Sequence, residues 1–244
     1  MTRRRWLPDR IEGDYASLLG PHADHLSRVL RAEIGQQYDI TTPTGVRTGR
    51  IISVKEGCVD FLLGDYLPDE QAATPDITLA LAIFKFDRME WAIEKCTELG
   101  VTRIIPCIAA RTEKHLSQAA QKRAERWRRL VTQASEQSRR ATPPHLADPI
   151  TFDQLMADDS PTRIVLSESE TALTLGSALA QAHSRLILAI GPEGGWTTGE
   201  LKKFAGSTWK SATLGSTILR AETAAIAALA IAASHLRDAE CPGA

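Results

Sequence analysis

The sequence predicts an α/β fold for its larger, C-terminal part and a small β-rich part before it. Three observations carry this. From Ile77 onward, short apolar stretches alternate with longer amphipathic ones. Leu186-Ile187-Leu188-Ala189-Ile190 is apolar at every position, as a strand covered on both faces of a parallel sheet must be. Before Ile77, β-branched stretches follow one another with turn signals between them. Strands alternating with helices imply a doubly wound sheet.

The elements follow in order. Pro21 to Arg31 reads as a helix with Leu26, Val29 and Leu30 on its apolar side. Gln37–Thr41, Gly45–Val54 and Cys58–Tyr66 read as strands, separated by Pro43-Thr44-Gly45 and Lys55-Glu56-Gly57. Leu67 to Asp76 holds Pro68 and Pro75 and no apolar period, so it reads as a linker. The expected domains are therefore 1–72 and 73–244. In the second, strands are expected at Ile77–Phe84, Arg103–Ile108, Arg163–Ser167, Leu186–Ile190 and Ser211–Leu214. Helices are expected at Asp87–Leu99, Leu116–Ser138, Leu173–Ala182, Thr198–Phe204 and Leu219–Leu236.

Composition narrows the function classes. With 244 residues, 43% hydrophobic and 24% charged, the chain supports a packed core and is not globally disordered. Lys+Arg 29 against Asp+Glu 30 leaves a net charge of -1, so any argument for nucleic acid must be local. Four cysteines without a C-x-x-C pair, and scattered histidines, imply a reducing compartment and no metal site. Met1 to Arg10 starts like a charged leader, but no apolar core follows it. The longest apolar run, Ala224 to Ala233, is far short of the ~20 residues that span a bilayer. The expected location is the cytoplasm.

In an open α/β sheet, ligands bind beyond the carboxyl ends of strands. The turn after the first strand, Phe84-Lys85-Phe86-Asp87-Arg88, contains no glycine. The chain also lacks G-x-G-x-x-G and G-x-x-x-x-G-K-[ST]. That argues against a nicotinamide enzyme, a P-loop enzyme and an ordinary Rossmann-type methyltransferase.

The glycines cluster late instead. Ile190-Gly191-Pro192-Glu193-Gly194-Gly195-Trp196 follows the most apolar strand, where glycine lets backbone approach a ligand. Thr197 or Thr198 is placed to cap the next helix, with Glu200 and Glu193 near its positive end. The plainer alternative is a tight strand-to-helix turn. Leu214 to Ala224 ends another strand and opens an alanine-rich helix, with Arg220 and Glu222 as its charges. Buried charges must pair, so these either form a structural ion pair or face a cleft. Leu166-Ser167-Glu168-Ser169-Glu170 ends a third strand and alone is an ordinary acidic loop. Together, three loops at three strand ends can build one pocket.

Charge is locally uneven. Arg103 to Arg140 holds ten basic residues opposed by Glu113, Glu125 and Glu136. On the helix, Leu116, Ala120, Ala124, Trp127, Val131 and Ala134 share one stripe, and Lys122, Arg126 and Arg129 the opposite face. A solvated helix face is the commoner cause of that pattern. With Arg3, Arg4 and Arg5 it also makes a phosphate-backbone footprint.

Four ordered motifs resemble those of a known family. They are Lys85 to Val101, then Glu136-Gln137-Ser138-Arg139-Arg140, then Ile190 to Gly195, then Leu214-Gly215 through Ile218 to Ala224. His25-Leu26-Ser27-Arg28-Val29-Leu30-Arg31 resembles the N-terminal domain of the same family. The family is the RsmE methyltransferases, which methylate N3 of a uridine in small-subunit ribosomal RNA. The match covers nearly the whole chain. A mild departure is Phe86, where the family often has a smaller residue.

The resemblance implies a PUA-like β-barrel for RNA binding, then a SPOUT α/β domain with a C-terminal trefoil knot. It also implies S-adenosyl-L-methionine as methyl donor, a homodimer, and 16S ribosomal RNA or the assembled small subunit as partner, with no membrane and no metal. The cofactor shell would be Leu166, Ser167, Glu168, Ile190, Gly191, Pro192, Glu193, Gly194, Gly195, Leu214, Gly215, Ser216, Ile218, Leu219 and Thr223. Arg220 would stabilise a uracil oxygen as N3 loses its proton, with Glu222 orienting it. RNA would meet Arg3, Arg4, Arg5, Arg31, Lys122, Arg126, Arg129 and Arg139. The competing readings are a noncatalytic RNA-binding module of the same fold, a methyltransferase acting on another RNA base, and a metabolic nucleotide enzyme disfavoured by the missing phosphate loop. Binding of S-adenosylmethionine separates the first of these from an enzyme.

Overall fold

The structure is a computed structural model and describes residues 5–67, 75–138, 140, 142–180, 182 and 185–240, with 237–240 as backbone only. The chain divides into two compact units. One is 1–72 with 135–142; the other is 73–134 with 143–244.

The first unit is a six-stranded sheet. Its strands are β1 (Arg5–Trp6), β2 (Arg10–Glu12), β3 (Tyr15–Leu19), β4 (Gln37–Thr42), β5 (Gly45–Lys55) and β6 (Cys58–Tyr66), in the order β1-β4-β5-β6-β3-β2. β1 and β4 are parallel and the other neighbours antiparallel. Trp6, Leu18, Leu26, Ile40, Ile51, Val59 and Phe61 form its core. Gly49 faces Ile40 and leaves no room for a Cβ, so a larger residue would have to displace that core side chain.

The expected helix Pro21–Arg31 is two pieces. Pro21 starts the short helix α1 (Gly20–Asp24), and a π-helical turn continues through His25–Val29. The Ala32 N–H closes the turn by donating to Leu26 O at 3.1 Å. Between them Arg31 has φ +51, the one non-glycine residue at positive φ among the described residues. That conformation normally selects glycine at a helix end. Val29 and Leu30, expected on the apolar side, are exposed; Ala23 and Leu26 are the residues of this segment that reach the core.

The second unit is an all-parallel sheet between two helical layers. It contains β7 (Asp76–Ala82), α2 (Phe86–Glu98), β8 (Arg103–Ile108), α3 (Lys114–Gln137), β9 (His145–Leu146), β10 (Ile150–Thr151) and α4 (Phe152–Met156). It continues with β11 (Thr162–Leu166), α5 (Leu175–Leu179), β12 (Arg185–Ile190), α6 (Thr198–Ala205), β13 (Lys210–Ala212) and α7 (Ala221–Glu240). The order is β10-β8-β7-β12-β11-β13, and β9 also pairs with β8.

The continuous apolar strands serve two cores. Ile77, Leu79 and Leu81 of β7, with Leu186, Leu188 and Ile190 of β12, meet α2, α3, α5 and α7. Ala80, Ala82, Ile187 and Ala189 face the opposite core with Phe152, Trp196, Phe204 and Trp209. The predicted stripe of α3 is buried throughout, with Trp127 edge-on to Phe86 at 5.7 Å. On α7, Ala225, Ala228 and Ala232 are fully buried within the unit. The small side chains are thus already used for close packing inside it.

Candidate functional site

The adjacent strands β12, β11 and β13 end at one edge of the sheet, and the loops that follow them surround a cavity of about 270 Å³. From the first loop, Leu166, Ser167 and Glu168 line it, joined by Ser169. Ser167 N–H donates to Ala212 O at 3.0 Å, and the Ser167 and Ser169 hydroxyls lie 2.8 Å apart. Glu170 is half-buried and accepts from Ala172 N–H and Leu173 N–H, which holds its carboxyl below the ordinary value.

From the second loop, Ile190, Gly191, Pro192, Glu193, Gly195 and Trp196 reach the cavity. Gly195 has φ +69 and donates its N–H to Pro192 O at 2.8 Å, closing a tight turn that only glycine adopts without strain. A Cβ on Gly191 would lie 3.2 to 3.4 Å from the Trp196 indole. Trp196 Nε1 in turn donates to Leu166 O at 3.1 Å, fastening the second loop to the first. Gly194 lies outside the lining; its carbonyl accepts from the Arg111 guanidinium, which also reaches Trp196 O at 3.4 Å. Thr197 is the cap of α6, in a capping box with Glu200, and Glu200 Oε1 also accepts Ala110 N–H at 2.8 Å. Glu193 serves Arg88 rather than that helix end, at 3.0 Å.

From the third loop, Leu214, Gly215, Ser216, Ile218 and Leu219 line the cavity, with Thr213 and Thr217. Thr213 Oγ1 donates to Gly215 O at 3.0 Å and accepts Gly215 N–H at 3.2 Å, fixing Gly215 at φ +132. Ile218 is 81% exposed although it borders the cavity. Thr223, on the next helix, is exposed and does not line it.

Arg220 and Glu222 do not form the expected pair. Arg220 is exposed, and its side chain makes no ion pair or hydrogen bond among the described residues. Glu222 is 6% exposed and approaches Arg88 Nε at 3.9 Å. Two residues apart at a helix start, the side chains leave in different directions. Arg220 is the cap position of α7, its carbonyl accepting Ala224 N–H at 2.8 Å. Its neighbours Leu219 and Ala221 both line the cavity.

Trp196, Leu201, Ala221 and Ala224 also line the cavity and were not anticipated. Trp196 directly follows the glycine run, a signal of sorts; Arg88 and Arg111 have none, since their partners are 105 and 83 residues away. Among the described residues, no histidine or cysteine lines the cavity. Cys107 is pushed up to about 12 by burial and by Glu200, and burial pushes Cys96 up as well, so neither thiol is a nucleophile near neutral pH.

The basic residues are distributed as follows. Arg3, Arg4 and Arg139 lie outside the described residues. Arg5 is half-buried and Arg31 exposed. Lys122 and Arg129 are exposed on α3, while Arg126 and Arg123 share Glu90 at 3.0 and 2.7 Å, which reduces the free charge of that face. Among the described residues, no helix is long and apolar enough to cross a membrane.

Residues 71–233 match the RNA methyltransferase domain family. The chain is 39% identical to a ribosomal RNA small subunit methyltransferase E of Rickettsia conorii, over 86% of this chain and 85% of that one. It is 33% identical to the protein of the same name from Synechocystis, over 91% of this chain and 74% of that one. Among solved structures, ribosomal RNA small subunit methyltransferase E of Neisseria gonorrhoeae, bound to S-adenosyl methionine, aligns with a TM-score of 0.83 at 30% identity, covering 94% of this chain and 96% of that one. The chain belongs to the ribosomal RNA small subunit methyltransferase E family.

Proposed function

We propose that this protein is an S-adenosylmethionine-dependent ribosomal RNA methyltransferase that modifies uracil N3 at position 1498 of 16S ribosomal RNA. The observation that carries the reading is the meeting of three strand-end loops, two of them glycine-bearing, around one cavity, in a chain of this family. The cavity suits the cofactor. Ile190, Leu201, Leu214 and Leu219 offer apolar wall for an adenine, Glu168 and Glu193 offer acceptors for an ammonium or for hydroxyls, and Gly191, Gly195 and Gly215 bring bare backbone to the wall. When bound, S-adenosylmethionine supplies an electrophilic methyl on a sulfonium.

The residues of this chain do the rest. The three loops hold and orient, which converts an encounter into a positioned reaction. Uracil N3 must shed its proton, and the negative charge then spreads onto the carbonyl oxygens. Arg220, exposed beside the cavity wall and unpaired among the described residues, stabilises that charge. The base is taken unpaired or flipped, since N3 is hidden in a Watson–Crick pair.

In the same reading, 1–72 is a PUA-like RNA-binding barrel, 73–244 is the SPOUT domain with its trefoil knot, and the protein acts in the cytoplasm. Arg5, Arg31, Lys122, Arg126 and Arg129 meet the RNA backbone, with Arg3, Arg4 and Arg139. Replacing Lys122, Arg126 and Arg129 by glutamine should weaken RNA binding and leave cofactor affinity alone. It should also flatten the salt dependence by ~0.7–0.9 for each phosphate no longer neutralised. Filter binding across a salt series checks this; parental affinity and slope would make α3 a merely solvated face. The working unit is a homodimer. Ile218 and Ile231, 81% and 40% exposed, are the apolar side chains that such an interface would cover. A stable monomer in sedimentation at micromolar concentration would contradict that assembly.

The deciding experiment is transfer of labelled methyl to small-subunit RNA and to assembled subunits, with the modified nucleoside identified. Label in N3-methyluridine supports the reading. Label in another nucleoside, or none with cofactor bound, refutes the assigned chemistry.

A further inference from the structure

We infer that Arg88 is a positioning residue for the cofactor pocket, holding the glycine turn and the start of α7 in register through Glu193 and Glu222. The inference rests on the proposed function for what the pocket takes. Arg88 lies in the first turn of α2, outside the cavity lining. Its Nη1 is 3.0 Å from Glu193 Oε1 and its Nε 3.9 Å from Glu222 Oε1. Glu193 lines the cavity; Glu222 sits between the lining residue Ala221 and the lining residue Ala224. One guanidinium thus links two of the three walls to a helix that contributes no wall of its own.

Glu222 shows why the link matters. It is 6% exposed, and its Oε2 is enclosed with no hydrogen-bond partner among the described residues. A buried carboxylate so poorly supplied is costly, and among the described residues Arg88 is the cation within reach of it. The positive end of α7 offsets part of the cost, since Glu222 lies in its first turn. With the guanidinium shared between two carboxylates, movement of Glu193 changes how Glu222 is compensated. The glycine turn and the head of α7 are therefore coupled without touching the reacting atoms. Arginine suits this task because its planar fork presents several donors at once; a lysine ammonium is a single point of charge.

The test is a double-mutant cycle read in cofactor affinity. Calorimetric titration with S-adenosylmethionine is run on the whole chain for Arg88→Met, Glu193→Gln and the double variant, with melting curves for each. Arg88→Met should weaken binding about tenfold, and the double variant no further, as for residues in one network. Arg88→Lys should recover only part of the loss. In turnover, KM for the cofactor should rise more than kcat falls. A merely structural arginine would lower the melting temperature and leave affinity unchanged at temperatures where the variant is folded; that result overturns the inference, as does strict additivity in the cycle. If Arg88→Met fails to fold, Glu193→Gln, exposed at the cavity wall, still reports: parental affinity there overturns the link. Failure of the parent protein to bind S-adenosylmethionine overturns the proposed function itself, and is distinguishable from every outcome above.

Discussion

Arg220→Ala is expected to fold, to bind cofactor as the parent does, and to methylate ~10²–10³ times more slowly, the range for a lost transition-state donor. The structure separates these effects. A buried partner of Glu222 would have cost stability when removed. Arg220 is instead exposed and unpaired among the described residues, and surface changes of that kind stay within about 0.5 kcal/mol. Its position is moreover a poor one for arginine. It caps α7, where serine or aspartate would satisfy the helix N–H groups and a positive charge opposes the helix dipole. Arg220→Ser should therefore melt no lower than the parent and remain as slow as the alanine variant. Arg220→Lys should rescue poorly, for want of the planar fork. Single-turnover methylation, cofactor titration and thermal melting together decide. Parental rates in a normally folded variant would falsify the catalytic role; lost cofactor binding would move Arg220 into the cofactor shell.

Gly191→Val should abolish most cofactor binding. Gly191 does not need positive φ, so the substitution tests space alone. Its Cβ would meet the Trp196 ring at 3.2 to 3.4 Å, and the branched methyls would press further. Trp196 cannot retreat easily, since it is packed by Phe152 and Phe204 with ring centroids at 6.0 and 5.2 Å. Overpacking of this sort costs ~1–3 kcal/mol. Displacing the indole also breaks its bond to Leu166 O, so both loops shift at once. About 1.4 kcal/mol taken from binding is a factor of ten, and a loss of at least that size is expected. Gly176→Ala is the control. That glycine is exposed on α5 with nothing within 4 Å of a new Cβ, and the variant should gain up to about 1 kcal/mol of stability with unchanged binding. Parental affinity in Gly191→Val, measured by titration, would show that the turn tolerates side chains and that its glycines serve only chain reversal.

Much of the second unit was legible because its signals are local and redundant. The stripe from Leu116 to Ala134 repeats over many helical turns, and all six residues are buried. The strand ending at Ile190 has no polar residue after Arg185, which leaves no exposed face. Short elements carry too few residues for a period. β1 and β2 have two and three. β3 buries Ala16 and Leu18, an alternation that five residues barely express. α4 did carry a readable sign, the Thr151–Gln154 capping box, in a segment without a longer apolar pattern. The strand-end loops could be located from glycine and from the family motifs. The pairing within them could not: Glu222 was expected beside Arg220 by proximity in sequence, whereas the fold delivers Arg88 from a helix more than a hundred residues earlier. Long-range ion pairs leave no mark on either neighbourhood.

The first unit is discontinuous in sequence: 135–142 cluster with 1–72, and His22 Nε2 approaches Glu136 Oε1 at 3.8 Å. Within that returning segment Arg140 is half-buried, and burial lowers its pKa to about 10. This bears on how the protein is made. During synthesis the six strands emerge early, but the unit lacks its last piece until Thr142 has been added. At ~5–20 residues per second, the roughly 70 intervening residues take about 4–14 s. For that interval the six strands stand without the segment that completes their unit, and a chain cut after residue 72 would stay so permanently.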